Sequence, residues 1–234
     1  MSDFAFRYPA SVIAGKHRLT ADDILLLRRY MFPKGLTSAS DAEQLLALHR
    51  APVEKCAEWD NWFVEMMAAF IVVHSYPQYS LDELNAEWLI ATVSVDGVIA
   101  TSAELELVLH AMEMACAVPD ILSAFALDQL RLALVKNKGA YAVGRGIKRS
   151  GIAAEDIEFI YRILRGSLFA GKMFVSAREV SVFDRIDARV HNETNHPAWY
   201  DLVQSISTRT PEGRASAMPW LRMQVEDVAL DQAA

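Results

Sequence analysis

The sequence predicts an all-α protein, and three observations carry that reading. Gly and Pro together number only 10 and 8 in 234 residues, so turns are few and elements long. Ala and Leu, both strong helix formers, occur 34 and 24 times. Apolar residues recur at helical spacing, as in Leu105, Val108, Leu109 and Met112. No alternating apolar–polar run exceeds a few residues, so no sheet of three or more strands is expected. The best strand-like stretch is short, Val93 to Val98.

Capping signatures set the helix starts. Ser or Thr followed three residues later by an acid satisfies two free backbone N–H groups at once. Such pairs are Ser40 with Glu43, Ser80 with Glu83, Thr101 with Glu104 and Ser176 with Glu179, with Thr20 and Asp23 as a weaker relative. Pro197 suits a first-turn proline. Helices are accordingly placed at 20–31, 40–50, 59–74, 80–94, 101–116, 119–136, 154–166, 176–190 and 197–207, with a tenth in 211–230.

These helices fall into three similar units of three, roughly 19–74, 80–136 and 152–207. The run Ile24 to Tyr30 resembles Ile157 to Ile163, each after an acid, Asp23 and Asp156. Gly35, Gly97 and Gly171 precede Glu43, Glu104 and Glu179 by similar spacings. Trp62, Phe125 and Trp199 then open the third helix of each unit. Such repetition reads as a packing unit used three times. Trp62, Trp88 and Trp199 are assigned to the core, and Trp220 either docks elsewhere or covers the third unit.

Charge divides the chain. The net charge is −7, yet residues 131–154 hold Arg131, Lys136, Lys138, Arg145, Lys148 and Arg149 and no acid. The domains expected are 19–136 with two helical units, a basic Gly-rich linker at 137–151, and 152–234 with the third unit and the C-terminal tail. An acidic chain does not suit a phosphate backbone, so nucleic acid is excluded as a general partner. Two lone thiols, Cys56 and Cys116, make no disulfide framework and fit a reducing compartment. Phe63 to Val73 is too short to span a bilayer. A cytoplasmic location without a membrane span is expected.

No catalytic constellation is found. There is no His-Glu-x-x-His, no nucleophile elbow and no Walker loop. Gly144 to Gly151 looks superficially like a phosphate loop, but without the preceding strand or the Gly-Lys-Ser/Thr ending it reads as basic linker. Asp96-Gly97-Val98-Ile99 with Glu104 invites comparison with a calcium loop. The Glu is one residue too far, and Thr92 and Ser94 stand where carboxylates belong, so the segment reads as a tight corner. Asp184, Asp187 and His191 share a helix face at i, i+3 and i+7, a donor set open to a divalent ion. The first unit has Ala47-Leu48-His49-Arg50 at the equivalent stretch, so the set is not repeated, and it reads as a solvated helix end. No catalytic, cofactor or metal residue is assigned, and no cofactor is expected.

Taken with their spacing, Trp88-Leu89-Ile90-Ala91, Asp96-Gly97-Val98-Ile99 and Glu104 resemble the tellurite-resistance TerB-like helical domain. Asp60 to Glu65, Glu87 to Ile90 and Glu104 to Leu107 are also similar to uncharacterised, chiefly alphaproteobacterial, proteins with repeated TerB-like units. The likeness covers about residues 19–206. Lys34 and Ala170 replace the Asp in the outer units. The resemblance implies a non-enzymatic stress-response module that binds a protein partner or itself, or alternatively one that holds a divalent metal.

Overall fold

The computed structural model describes residues 16–145, 150–169 and 172–208. More than half of these are helical. The chain divides into two compact units, Met1–Ser150 and Gly151–Ala234.

The first unit begins with a two-residue strand, β1 (Arg18–Leu19), and α1, which runs Ala21–Leu26 and continues as a π-helical turn over Leu27–Met31. Then come α2 (Ala39–Arg50), β2 (Glu54–Lys55) and α3 (Trp59–Ala69), which widens in the same way over Phe70–His74. Both widenings show in bonds that reach five residues back, Phe32 N to Leu27 O and Ser75 N to Phe70 O. After α4 (Glu83–Val93), the pair β3 (Ser94–Val95) and β4 (Val98–Ile99) leads to α5 (Ser102–Met114), α6 (Asp120–Lys136) and the short α7 (Ala140–Gly144). Helix α3 packs on α5, and α4 packs on α6. Trp59, Phe63, Met67, Leu45, Leu89 and Leu107 form a fully buried core between them.

Asp96 and Gly97 both have positive φ, 52° and 76°. Their two-residue connection between β3 and β4 is the hairpin turn whose twist matches its strands, and Asp-Gly supplies it at least cost. Gln129, buried on α6, fastens this hairpin. Its Oε1 accepts from Ile99 N at 3.1 Å and its Nε2 donates to Gly97 O at 3.0 Å.

The second unit holds α8 (Ala154–Ile163), β5 (Leu168–Phe169), β6 (Lys172–Val175), α9 (Ala177–Val190), α10 (Pro197–Ser205) and β7 (Ile206–Thr208). Its core gathers Ile160, Leu164, Val175, Ile186, Val190 and Trp199.

Helices form at all nine described sites expected from sequence, and the tenth, with Trp220, lies outside the described residues. Four details differ. A three-stranded sheet does exist, in the order β5-β6-β7, with β6 antiparallel to β5 and parallel to β7. Strands of two to four residues are too short to show alternation, and the β6–β7 pairing joins segments separated by two helices. Helix α2 starts at Ser38 with Asp41 rather than at Ser40 with Glu43. That register buries Ala42, Leu45, Leu46 and His49 on one face and leaves Glu43 in solvent. Helix α4 is capped by Asp82, whose side chain accepts from Asn85 N, rather than by Ser80. Finally, the segment read as a linker contains α7, packed on α5 and α6 with Ala140 buried. Gly139, at φ 90°, lets the chain pass close: a Cβ there would stand 3.2 Å from Ile99 O and from Val98 Cγ1.

The register of α2 is testable in the full chain. Ser38→Ala removes an N-cap acceptor and costs about 0.5–2 kcal/mol, whereas Ser40→Ala stays within about 0.5 kcal/mol, both read by denaturant unfolding. Equal losses would show that the helix starts where the sequence alone places it.

Candidate functional site

The most connected polar cluster of the first unit gathers where α2, α3, α4 and α5 meet. His49 stands in the last turn of α2, drawn inward because it continues the buried Ala42, Leu45, Leu46 face. Its imidazole stacks on Phe63 of α3, with centroids 4.0 Å apart and planes at 13°. Trp59, the first residue of α3 and wholly buried, donates its indole N–H to His49 Nδ1 at 3.2 Å. Nδ1 is therefore the acceptor of a neutral ring, and the ring proton sits on Nε2. Nε2 faces Thr101 Oγ1 at 3.4 Å.

Thr101 caps α5, and its hydroxyl is saturated. It accepts from His49 and from Glu104 N at 3.2 Å, and it donates to Glu104 Oε2 at 2.9 Å. Glu104, the N3 residue of that capping box, is 1% exposed. Its carboxylate also accepts from Thr101 N at 3.3 Å and from Arg50, Nε at 2.8 Å and Nη2 at 2.6 Å. Arg50 Nη2 donates onward to Thr92 O near the end of α4 at 2.8 Å. A buried carboxylate costs several kcal/mol unless so met.

Burial pushes the His49 imidazole below its ordinary 6.5. Glu104 and Asp60 pull the other way, while Lys55 and Arg50 add to the lowering. The arrangement resembles a nucleophile–base–acid chain, but its proton order is wrong for one. A base toward Thr101 needs a lone pair on Nε2, and the Trp59 bond assigns that lone pair to Nδ1. Nor does Cys56 offer a thiolate, since burial and the neighbouring Glu58 raise its pKa.

Sequence-level candidates fall differently. Asp96 lies exposed on the β3–β4 turn, and Glu104 is committed to Thr101 and Arg50, so the two do not share a ligand set. Asp184 and His191 are exposed, while Asp187 accepts the Trp199 indole N–H at 3.1 Å. Among the described residues, no group of three or more His, Cys, Asp or Glu is placed to hold a metal ion. Of the basic segment, Arg131 forms a two-pronged bond to Asp128 on the same helix, at 2.6 and 2.7 Å. Gly146, Lys148 and Arg149 lie outside the described residues.

The residue that matches Trp199 by its bond is Trp59, not Trp62. Trp62 is buried as well, but its indole N–H has no acceptor among the described residues. It lines an open groove of about 330 Å³ between α1 and α3, together with Ile24, Leu25, Arg28, Glu58 and Glu65. Leu25 is 61% exposed there. Arg28 and Glu65 face each other at 3.9 Å across it. Among the described residues, no helix is long and apolar enough to cross a membrane.

Two tests follow. Glu104→Gln keeps the cap but loses the ion pair with the 42%-exposed Arg50, so it costs about 1–2 kcal/mol after screening, while Glu43→Gln is silent; equal effects would contradict the network. The second test concerns pH. Below 6.5 the unfolded chain binds a proton at position 49 that the folded chain refuses, so stability is complete above that value and falls as pH drops toward the folded-state pKa. His49→Gln flattens this part of the melting profile between about pH 7 and pH 5.

No family model matches the chain, and neither a curated protein nor a solved structure does.

Proposed function

We propose that this chain is a non-enzymatic helical module, a cytoplasmic relative of TerB-like stress-response domains, that works by binding protein, and first of all a second copy of itself. The observation that carries the reading is the α1–α3 groove. Leu25 is exposed in it, Tyr30 stands exposed farther along α1, and Trp62 brings a buried indole N–H that has no acceptor among the described residues. Covering the exposed Leu25 takes apolar surface out of water, worth roughly 25 cal/mol for each Å² buried.

The three-unit architecture belongs to the same proposal. The first and third units use one scheme. Ser38 and Ser176 cap their second helices, and Asp41 and Glu179 return the bond from N3. Eleven residues after each cap, His49 and Asp187 take the indole N–H of the tryptophan that opens the third helix, Trp59 or Trp199. The middle unit repeats the cap with Thr101 and Glu104 but places Met112 at the acceptor position.

Sedimentation of the full chain over a wide concentration range tests the functional reading. Association that rises with concentration, abolished by Leu25→Glu without loss of melting temperature, supports it. A chain that stays monomeric at every concentration removes self-association through this groove.

A further inference from the structure

The two tryptophan anchors differ in one chemical respect. Trp199 is held by Asp187, whose carboxyl oxygens are hydrogen-bond acceptors. Trp59 is held by His49 Nδ1, which accepts only while the imidazole is neutral. A second proton on His49 must sit on Nδ1, because Nε2 already carries the first. It would then point at the Trp59 N–H across 3.2 Å, and two donors would face each other.

We propose that His49 and Trp59 form a proton-released clamp, in which protonation of the imidazole frees the first turn of α3 from the end of α2. The surroundings offer the charged ring little. Phe63 covers one face at 4.0 Å. The charged groups acting on it are Arg50 from its own helix, Lys55 from β2, Asp60 from α3 and Glu104 from α5, two of each sign. Glu104 is not free to receive the imidazolium directly, because Thr101 stands between them and Arg50 already holds its other oxygen. With the local charges balanced, the fit of donors to acceptors decides the outcome. The ring can keep its second proton only by leaving Trp59. The freed turn, Trp59 to Trp62, also carries Asn61 and Trp62 of the α1–α3 groove, although the clamp itself does not rest on the groove's being a binding site.

NMR of the full chain, following the His49 Cε1–H and Trp59 indole N–H signals through a pH titration, tests this. The two signals should move together, at one midpoint below 6.5, and amide exchange in the first turn of α3 should quicken at that midpoint. Trp59→Phe removes the opposing donor and should raise the His49 midpoint by roughly one unit. His49→Gln should leave the indole signal independent of pH over the same range. If Trp59→Phe does not fold, the wild-type and His49→Gln titrations still decide. His49 gaining its proton with the Trp59 signal and the α3 amides unmoved would overturn the proposal. So would a His49 that stays neutral until the whole chain unfolds in acid.

Discussion

The first unit turns on a carboxylate that has been taken out of water. Glu104 is buried at the start of α5, where the free N–H groups and the positive end of the helix favour a negative charge. Its remaining need is met by Arg50 from the end of α2, which in turn binds a carbonyl near the end of α4. Three helix ends thus converge on one ion pair, each contributing the partial charge that end naturally carries. His49 and Trp59 are positioned by what lies around this pair, because Thr101, the residue that caps Glu104, is also the one His49 reaches. The same device recurs in smaller form. Asp23, Asp156 and Glu179 are all buried and all accept the backbone N–H at their helix's cap. Burial works against the charge of Asp23, but bonds from Lys16 and Thr20 outweigh it and hold its carboxyl below the ordinary range.

What could be read in advance was local. Thr20 with Asp23, Thr101 with Glu104 and Ser176 with Glu179 each sit three residues apart, so cap and acid are visible in one glance along the chain, and the helices begin there. The stretch Thr37-Ser38-Ala39-Ser40-Asp41-Ala42-Glu43 contains two overlapping candidates. Only the burial of Ala42, Leu45, Leu46 and His49 selects Ser38, and burial is a property of the folded neighbours. His49 is legible as a lone histidine in a helix, not as a partner of Thr101, from which it is separated by 52 residues. Trp59 carried no signal that set it above Trp62, since both fall in the same apolar run. The pairings of β1 with β2 and of β6 with β7 escaped for a similar reason: the partners lie far apart along the chain and the strands are too short to show a period.

Trp59 and Trp62 are one turn apart on the same helix and meet edge to face at 5.2 Å. Trp59 gives its N–H to His49, while that of Trp62 meets no acceptor among the described residues. The first is therefore an internal tie, sensitive to the state of its acceptor, while the second lies beside an exposed leucine. Helix α3 presents two different chemistries on adjoining faces, and the four-residue pattern Trp-x-x-Trp is what places them there.

The pairing of β1 with β2 has a kinetic meaning. Each helix of the first unit closes its own hydrogen bonds over four or five residues, and such local contacts form early. Arg18 and Leu19 instead pair in parallel with Glu54 and Lys55, across the whole of α1 and α2. Closing so long a loop gives up chain entropy before any bond repays it. The N-terminal strand can therefore pair only once β2 is made, after α1 and α2. On a ribosome the groove between α1 and α3 takes shape only after α2, β2 and α3 itself have emerged.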